Sequence, residues 1–104
     1  MIYRVRAQFR TETAESFLRK LTDGTIARQI PDGSEIVASM KRAVVNGDGD
    51  VEWSELCFCP TPLQHERRTV LDRHFEDITI EVIPSHERYP GVPFMDRLKQ
   101  LAED

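Results

Sequence analysis

Clusters of turn-forming residues cut this chain into pieces too short for anything but a small layered domain. Thr22-Asp23-Gly24, Pro31-Asp32-Gly33, Asn46-Gly47-Asp48-Gly49-Asp50, Pro60-Thr61-Pro62 and Pro84 fall between stretches that each carry one hydrophobic period. In Ile2–Arg10, Tyr3, Val5, Ala7 and Phe9 alternate with Arg4, Arg6 and Gln8, the period of a half-buried strand. Ala14, Phe17, Leu18 and Leu21 then follow the stripe of an amphipathic helix, with Thr11 or Thr13 as its cap. A kinked continuation is expected over Thr25–Ile30.

From Ser34 to Val45 the pattern reads as a long second strand, with Ile36, Ala38, Met40 and Val44 on one side. The Asn46–Asp50 turn makes it a hairpin with a third strand, Val51–Cys59. Thr61 as N-cap, Pro62 at the first helical position and Gln64 two residues on predict a helix running to about His74. Ile78, Ile80 and Val82 mark a fourth strand within Asp77–Ile83, and Phe94, Leu98 and Leu101 a terminal helix within Pro93–Ala102. The order β-α-β-β-α-β plus a tail helix is that of a ferredoxin-like α+β domain, four antiparallel strands with both helices on one face. Residues 1–84 form the expected domain, and residues 85–104 a tail packing on it or on a partner subunit.

At 104 residues the chain suits one core, and 39% hydrophobic with 31% charged residues excludes a disordered chain. A net charge of −4 argues against a nucleic-acid partner. No apolar run approaches the roughly 20 residues that cross a bilayer, so no membrane partner is expected. Arg4 and Arg6 interrupt the stretch a signal peptide would need, which makes the cytoplasm the expected location. Cys57 and Cys59 are expected as free thiols.

The face of the sheet away from the helices is the expected functional surface. Burying Tyr3, Val5 and Ala7 leaves Arg4 and Arg6 on it. A hairpin register with Ala38 opposite Phe58 and Met40 opposite Leu56 in the core adds four cross-strand pairs to the open face. These are Lys41 with Glu55, Ala43 with Trp53, Ser39 with Cys57 and Val37 with Cys59. Thr79 and Glu81 join them from the fourth strand. Arg4, Arg6, Ser39, Lys41, Trp53, Glu55, Cys57 and Cys59 are therefore the candidate ligand-binding residues. Two such sheets are expected to stack as a homodimer anchored by Trp53, with room for a small anionic or aromatic ligand. The expected function is a small ligand-binding or interaction module. The alternative is an enzyme of the dimeric α/β-barrel kind, working on a small organic molecule in a cavity over the open face.

No cofactor is expected. Cys57-Phe58-Cys59 in a strand would space its sulfurs at the limit for a disulfide. A metal would need further ligands such as His65 or His74, and with neither a second cysteine pair nor a tight histidine spacing no metal site is expected. A Cys59–His65 pairing can be drawn, because His65 lies in the first turn after the proline pair, but a histidine on a solvated helix surface is the expected reading. The Asn46–Asp50 turn has oxygen ligands at alternate positions, yet Val51 and Cys57 stand where a calcium loop needs glycine and glutamate. Glu52 with Glu55, and Glu66 with Asp72, have spacings common on surfaces, and only Glu55 is expected in an environment that alters it.

Overall fold

The alternation at the start of the chain forms strand β1 (Ile2–Phe9), with Tyr3, Val5 and Ala7 buried. The computed structural model describes residues 1–103, so Asp104, the last residue of the expected tail, lies outside the described residues. A 3-10 turn (Thr11–Thr13) enters helix α1 (Ala14–Thr22), which buries Ala14, Phe17 and Leu21 at helical spacing. Residues 25–30 form turns instead of the expected helix and bury Ile26.

The long second strand does not form. Gly33–Arg42 is helix α2, and only Val44–Val45 is extended, as β2. Ile36 and Met40 are four residues apart, a spacing that fits both periods, but Gly33, Ser39 and Ala43 complete a helical stripe with them. Glu35 in the first turn and Lys41 and Arg42 in the last complement the helix dipole. Gly33 is required where α2 begins, because a Cβ there would overlap the carbonyl oxygen of Ile26.

Strand β3 (Val51–Leu56) follows, and helix α3 comprises Gln64–Glu66, a π-helical stretch Arg67–Leu71, and Asp72–His74. Thr61 makes no side-chain cap; Leu63 precedes the helix in the left-handed region, with φ 55°. Strands β4 (Phe75–Ile83) and β5 (Val92–Pro93) and helix α4 (Phe94–Glu103) complete the chain. The described residues form an α+β domain, with one antiparallel sheet of five strands in the order β4-β1-β3-β2-β5 and four helices, in place of the expected four strands and three helices.

The hairpin register is the expected one where β2 exists, Val44 opposite Glu52 and Val45 opposite Val51. Because the preceding residues are helical, Ala38, Ser39, Met40, Lys41 and Ala43 make no cross-strand pairs. The central pairing is β1 with β3, which sets Tyr3 opposite Glu55, Val5 opposite Trp53 and Ala7 opposite Val51. Directly opposed residues share a face, so the odd-numbered side chains of β3 follow Val5 under the helices. Trp53 is 0% exposed, Glu55 and Cys57 are buried, and Phe58 is 85% exposed. The expected pleating of β3 is thus reversed, and Trp53 is not available as a dimer anchor.

The even-numbered face carries Arg4, Arg6, Glu52 and Ser54, and residues 84–91 cross it as a strap. The Ser54 hydroxyl lies 2.8 Å from His86 Nδ1 and accepts from the Glu87 N–H at 3.2 Å, while Arg4 stacks 4.8 Å above the Tyr89 ring. Beyond Gly91, where a Cβ would overlap the Val45 carbonyl oxygen, β5 pairs with β2. Helix α4 returns to the helical layer with Phe94 and Leu98 fully buried, so the tail packs on its own domain. Among the described residues no helix is long and apolar enough to cross a membrane.

At the other end of the core, His74 is buried and stacks on Phe17 at 4.1 Å. Its Nδ1 is 2.8 Å from Thr13 Oγ1, whose one proton already goes to the Arg10 carbonyl, so Nδ1 donates. Burial, with Lys20 and Arg73 adding to it, lowers its pKa from 6.5 to about 4. The unfolded chain therefore takes up this proton first, and stability contributed above pH 6.5 is lost as pH falls toward 4. Denaturant midpoints of a His74→Gln variant should show a shallower acid-side slope than the parent; parallel slopes would contradict this. Gly33→Ala should cost about 1–3 kcal/mol by overpacking. An unchanged urea midpoint would show that α2 is not held this closely.

Candidate functional site

Strand β3 ends at Leu56, and the next three residues keep its in-out alternation while leaving the sheet. Cys57 and the N-terminal residue clasp each other: the Cys57 N–H donates to the Met1 carbonyl at 2.9 Å, and the terminal ammonium donates to the Cys57 carbonyl at 3.1 Å. The chain then turns back through Pro60–Leu63. The Cys59 N–H donates to Cys57 Sγ at 3.3 Å, and Leu63 at the end of the turn is in the left-handed conformation. The two cysteines thus sit in a tight loop and not along a strand.

Because α3 starts immediately afterwards, its first turn lies against this loop. Cys59 Sγ donates to Glu66 Oε1 at 3.4 Å. Glu66 is 1% exposed, and among the described residues its other oxygen, Oε2, has no hydrogen-bond partner. His65 reaches across to the start of α2, its Nδ1 2.6 Å from Asp32 Oδ2, and Asp32 Oδ1 is a second buried oxygen without a partner. Donor atoms of Cys57, Cys59 and Glu66 all lie within 4.8 Å of one another, as do those of Asp32, His65 and Glu66.

Two further carboxylates border the cluster. Glu35 Oε1 accepts from Arg42 Nη2 at 2.8 Å and from the Leu56 N–H at 3.1 Å. Glu55 accepts from the Trp53 indole N–H at 2.8 Å, leaving its Oε2 unpartnered. Burial raises the Glu55 pKa to about 8; the indole N–H opposes this, while Glu66 and Glu35 reinforce it. Burial likewise pushes the Cys57 thiol up to about 12, against the pull of the Cys59 and Leu63 N–H groups. A cavity of about 430 Å³ opens over the cluster, lined by Pro31, Asp32, Ser34, Glu35, Leu56, Cys57, Phe58, Cys59 and Glu66. Its floor is acidic and sulfur-rich, and its rim is apolar.

The eight residues expected on the open face are divided by the fold. Arg4 and Arg6 do lie there, Arg4 bonded to Glu52 at 2.7 Å, beside a depression of about 210 Å³ that also touches Thr79 and Glu81. Lys41 is exposed on α2 and has no Glu55 opposite it, while Ser39 is buried there with its hydroxyl 3.4 Å from Glu35. Trp53 and Glu55 are in the core, and Cys57 and Cys59 line the cavity on the helical side. Glu66 lies with the cysteines rather than on a surface with Asp72, which instead pairs with Arg67. Asp32 and Glu35 escaped the sequence reading because their helix was read as a strand. The signal for His65 and Glu66 was present: a helix starting within five residues of Cys59 places its first turn beside that thiol.

No family model, curated protein or solved structure matches the chain.

The unfolded chain ionises Glu55 near 4.5, while the folded protein retains its proton until about 8. Its contribution is therefore present below pH 4.5 and is lost as pH rises through about 8. Glu55→Gln keeps an acceptor for Trp53 and should flatten the alkaline-side loss seen in denaturant midpoints. Retention of the parental slope would show that Glu55 is not the group responsible.

Proposed function

We propose that this protein is a small ligand-binding module whose ligand is cationic and occupies the cavity over Cys57, Cys59 and Glu66. The observation that carries the reading is the Glu66 carboxylate, buried to 1% exposure with one oxygen unpartnered. An orphaned buried carboxylate oxygen is costly, and a cation removes that cost. Asp32 Oδ1 has the same need at the same site. The anionic or aromatic ligand expected on the open face fits less well, since Trp53 is not on that face and Arg4 is already paired with Glu52.

The stacked homodimer lacks its proposed anchor for the same reason. The dimeric α/β-barrel alternative asks for an enclosed cavity on a face whose depression beside Arg4 and Arg6 is open and holds about 210 Å³. Free thiols at the site fit the reducing conditions of the cytoplasm. We infer that the first four strands follow the ferredoxin-like split βαβ plan, widened by β5 and by the division of the first crossover into α1 and α2. The strand order β4-β1-β3-β2 supports this.

Thermal unfolding should be followed with a panel of metal chlorides and small organic ammonium and guanidinium salts. At least one cation should raise Tm in proportion to the logarithm of its concentration above Kd, by the equivalent of about 2.7 kcal/mol at a hundredfold excess over Kd. Glu66→Gln should remove most of that gain. A Tm unmoved by the whole panel would overturn the proposal.

A further inference from the structure

We propose that the cation is a thiophilic divalent metal of the zinc class, held by Cys57 Sγ, Cys59 Sγ and a Glu66 carboxylate oxygen, with its fourth position toward the cavity. This rests on the cationic-ligand reading and names the ligand. The three donors lie within 4.8 Å of one another, and Cys59 Sγ is 3.4 Å from Glu66 Oε1. Ligands of a tetrahedral zinc ion are separated by roughly 3.5–3.8 Å, given its bond lengths. Donors already this close need only small side-chain rotations to meet one ion.

The chemistry of the donors points the same way. Two sulfurs and one carboxylate are a soft-to-borderline set, suited to zinc and poorly matched to calcium or magnesium, which take oxygen donors. Cys57 Sγ accepts a hydrogen bond from the backbone N–H of Cys59 at 3.3 Å. That donor stabilises a sulfur that carries negative charge, as it does when it binds a metal. On binding, each thiol releases its proton to solvent and its sulfur lone pair forms the bond to the ion. Glu66 Oε2, orphaned without an ion, gains a role either as the ligating oxygen or beside it. The Asp32–His65 pair also lies within 4.8 Å of Glu66, which is shared between the two triads. Three protein ligands leave a coordination position for water or a ligand atom, in contrast to a closed four-ligand structural site.

Cobalt chloride, added to the reduced, chelator-treated protein, is the probe. The expected result is one cobalt per chain, with the near-ultraviolet absorption of a thiolate–cobalt bond and the intense visible bands of tetrahedral cobalt, both abolished by one equivalent of zinc chloride. Cys59→Ser, at the half-buried cysteine, should remove most of the near-ultraviolet band. Glu66→Gln should retain sulfur absorption while weakening affinity at least tenfold, with circular dichroism confirming that both variants fold. His65→Ala should leave the sulfur band in place. Cobalt bound without sulfur absorption, or lost on His65→Ala while Cys59→Ser binds normally, would overturn the assignment in favour of the Asp32–His65–Glu66 oxygen and nitrogen set. If an organic cation raises Tm and no metal does, this inference fails while the cationic-ligand reading stands. If neither acts, both fail.

Discussion

The pairing of β1 with β3, with Val5 directly opposite Trp53, governs the rest of the molecule. In an antiparallel ladder opposed side chains share a face, so the side chosen by the apolar residues of β1 is imposed on β3. Trp53 gains full burial against Phe75 at 5.1 Å between ring centres. The same geometry carries Glu55 inward two residues later and Cys57 after it. A buried carboxyl is an expensive companion for an indole, and the structure offsets that cost with the indole N–H and by keeping Glu55 protonated. The acidic, thiol-rich cavity follows from the position of an apolar anchor.

The two faces of the sheet then take different roles. The even-numbered face is closed by its own chain: the strap from β4 to β5 occupies Ser54 through His86 and Glu87 and stacks Tyr89 on Arg4. Glu52 there is fully engaged, by Arg4 at 2.7 Å and Asn46 at 2.7 Å. Most polar groups on that face are therefore satisfied, the Tyr89 hydroxyl excepted. On the helical side, at the junction of α2, α3 and the end of β3, several buried oxygens are not. Evenly satisfied polar networks hold structure together, whereas orphaned groups in a cavity mark a place where something is missing. The π-helical stretch directly after Glu66 is consistent with that contrast, since such irregularities concentrate at functional sites.

Much of the architecture was legible from local pattern. Strands β1 and β4, the first and last helices, the hairpin turn and even its register were all readable, because each depends on a short run of alternating or stripe-like residues. Gly33–Arg42 was not, because Ile36 and Met40 satisfy two periods at once and the deciding residues, Gly33, Ser39 and Ala43, are small. Their fitness for a helix face becomes evident only once something packs against them. The candidate site shared that fate. Cys57 and Cys59 stood out at once, but their oxygen partners Asp32 and Glu35 belonged to the misread helix, and Glu66 looked like a surface carboxylate.

By itself, the sequence determined where the chain turns, which stretches are extended or helical at most positions, and that Arg4 and Arg6 lie away from the core. These are nearest-neighbour properties, set by backbone preference and by the spacing of apolar side chains. The tertiary structure alone decided which strand lies beside β1, and hence on which side Trp53, Glu55 and Cys57 fall. A strand with large groups at both odd and even positions has two comparable faces. Only its neighbour in the sheet breaks that tie.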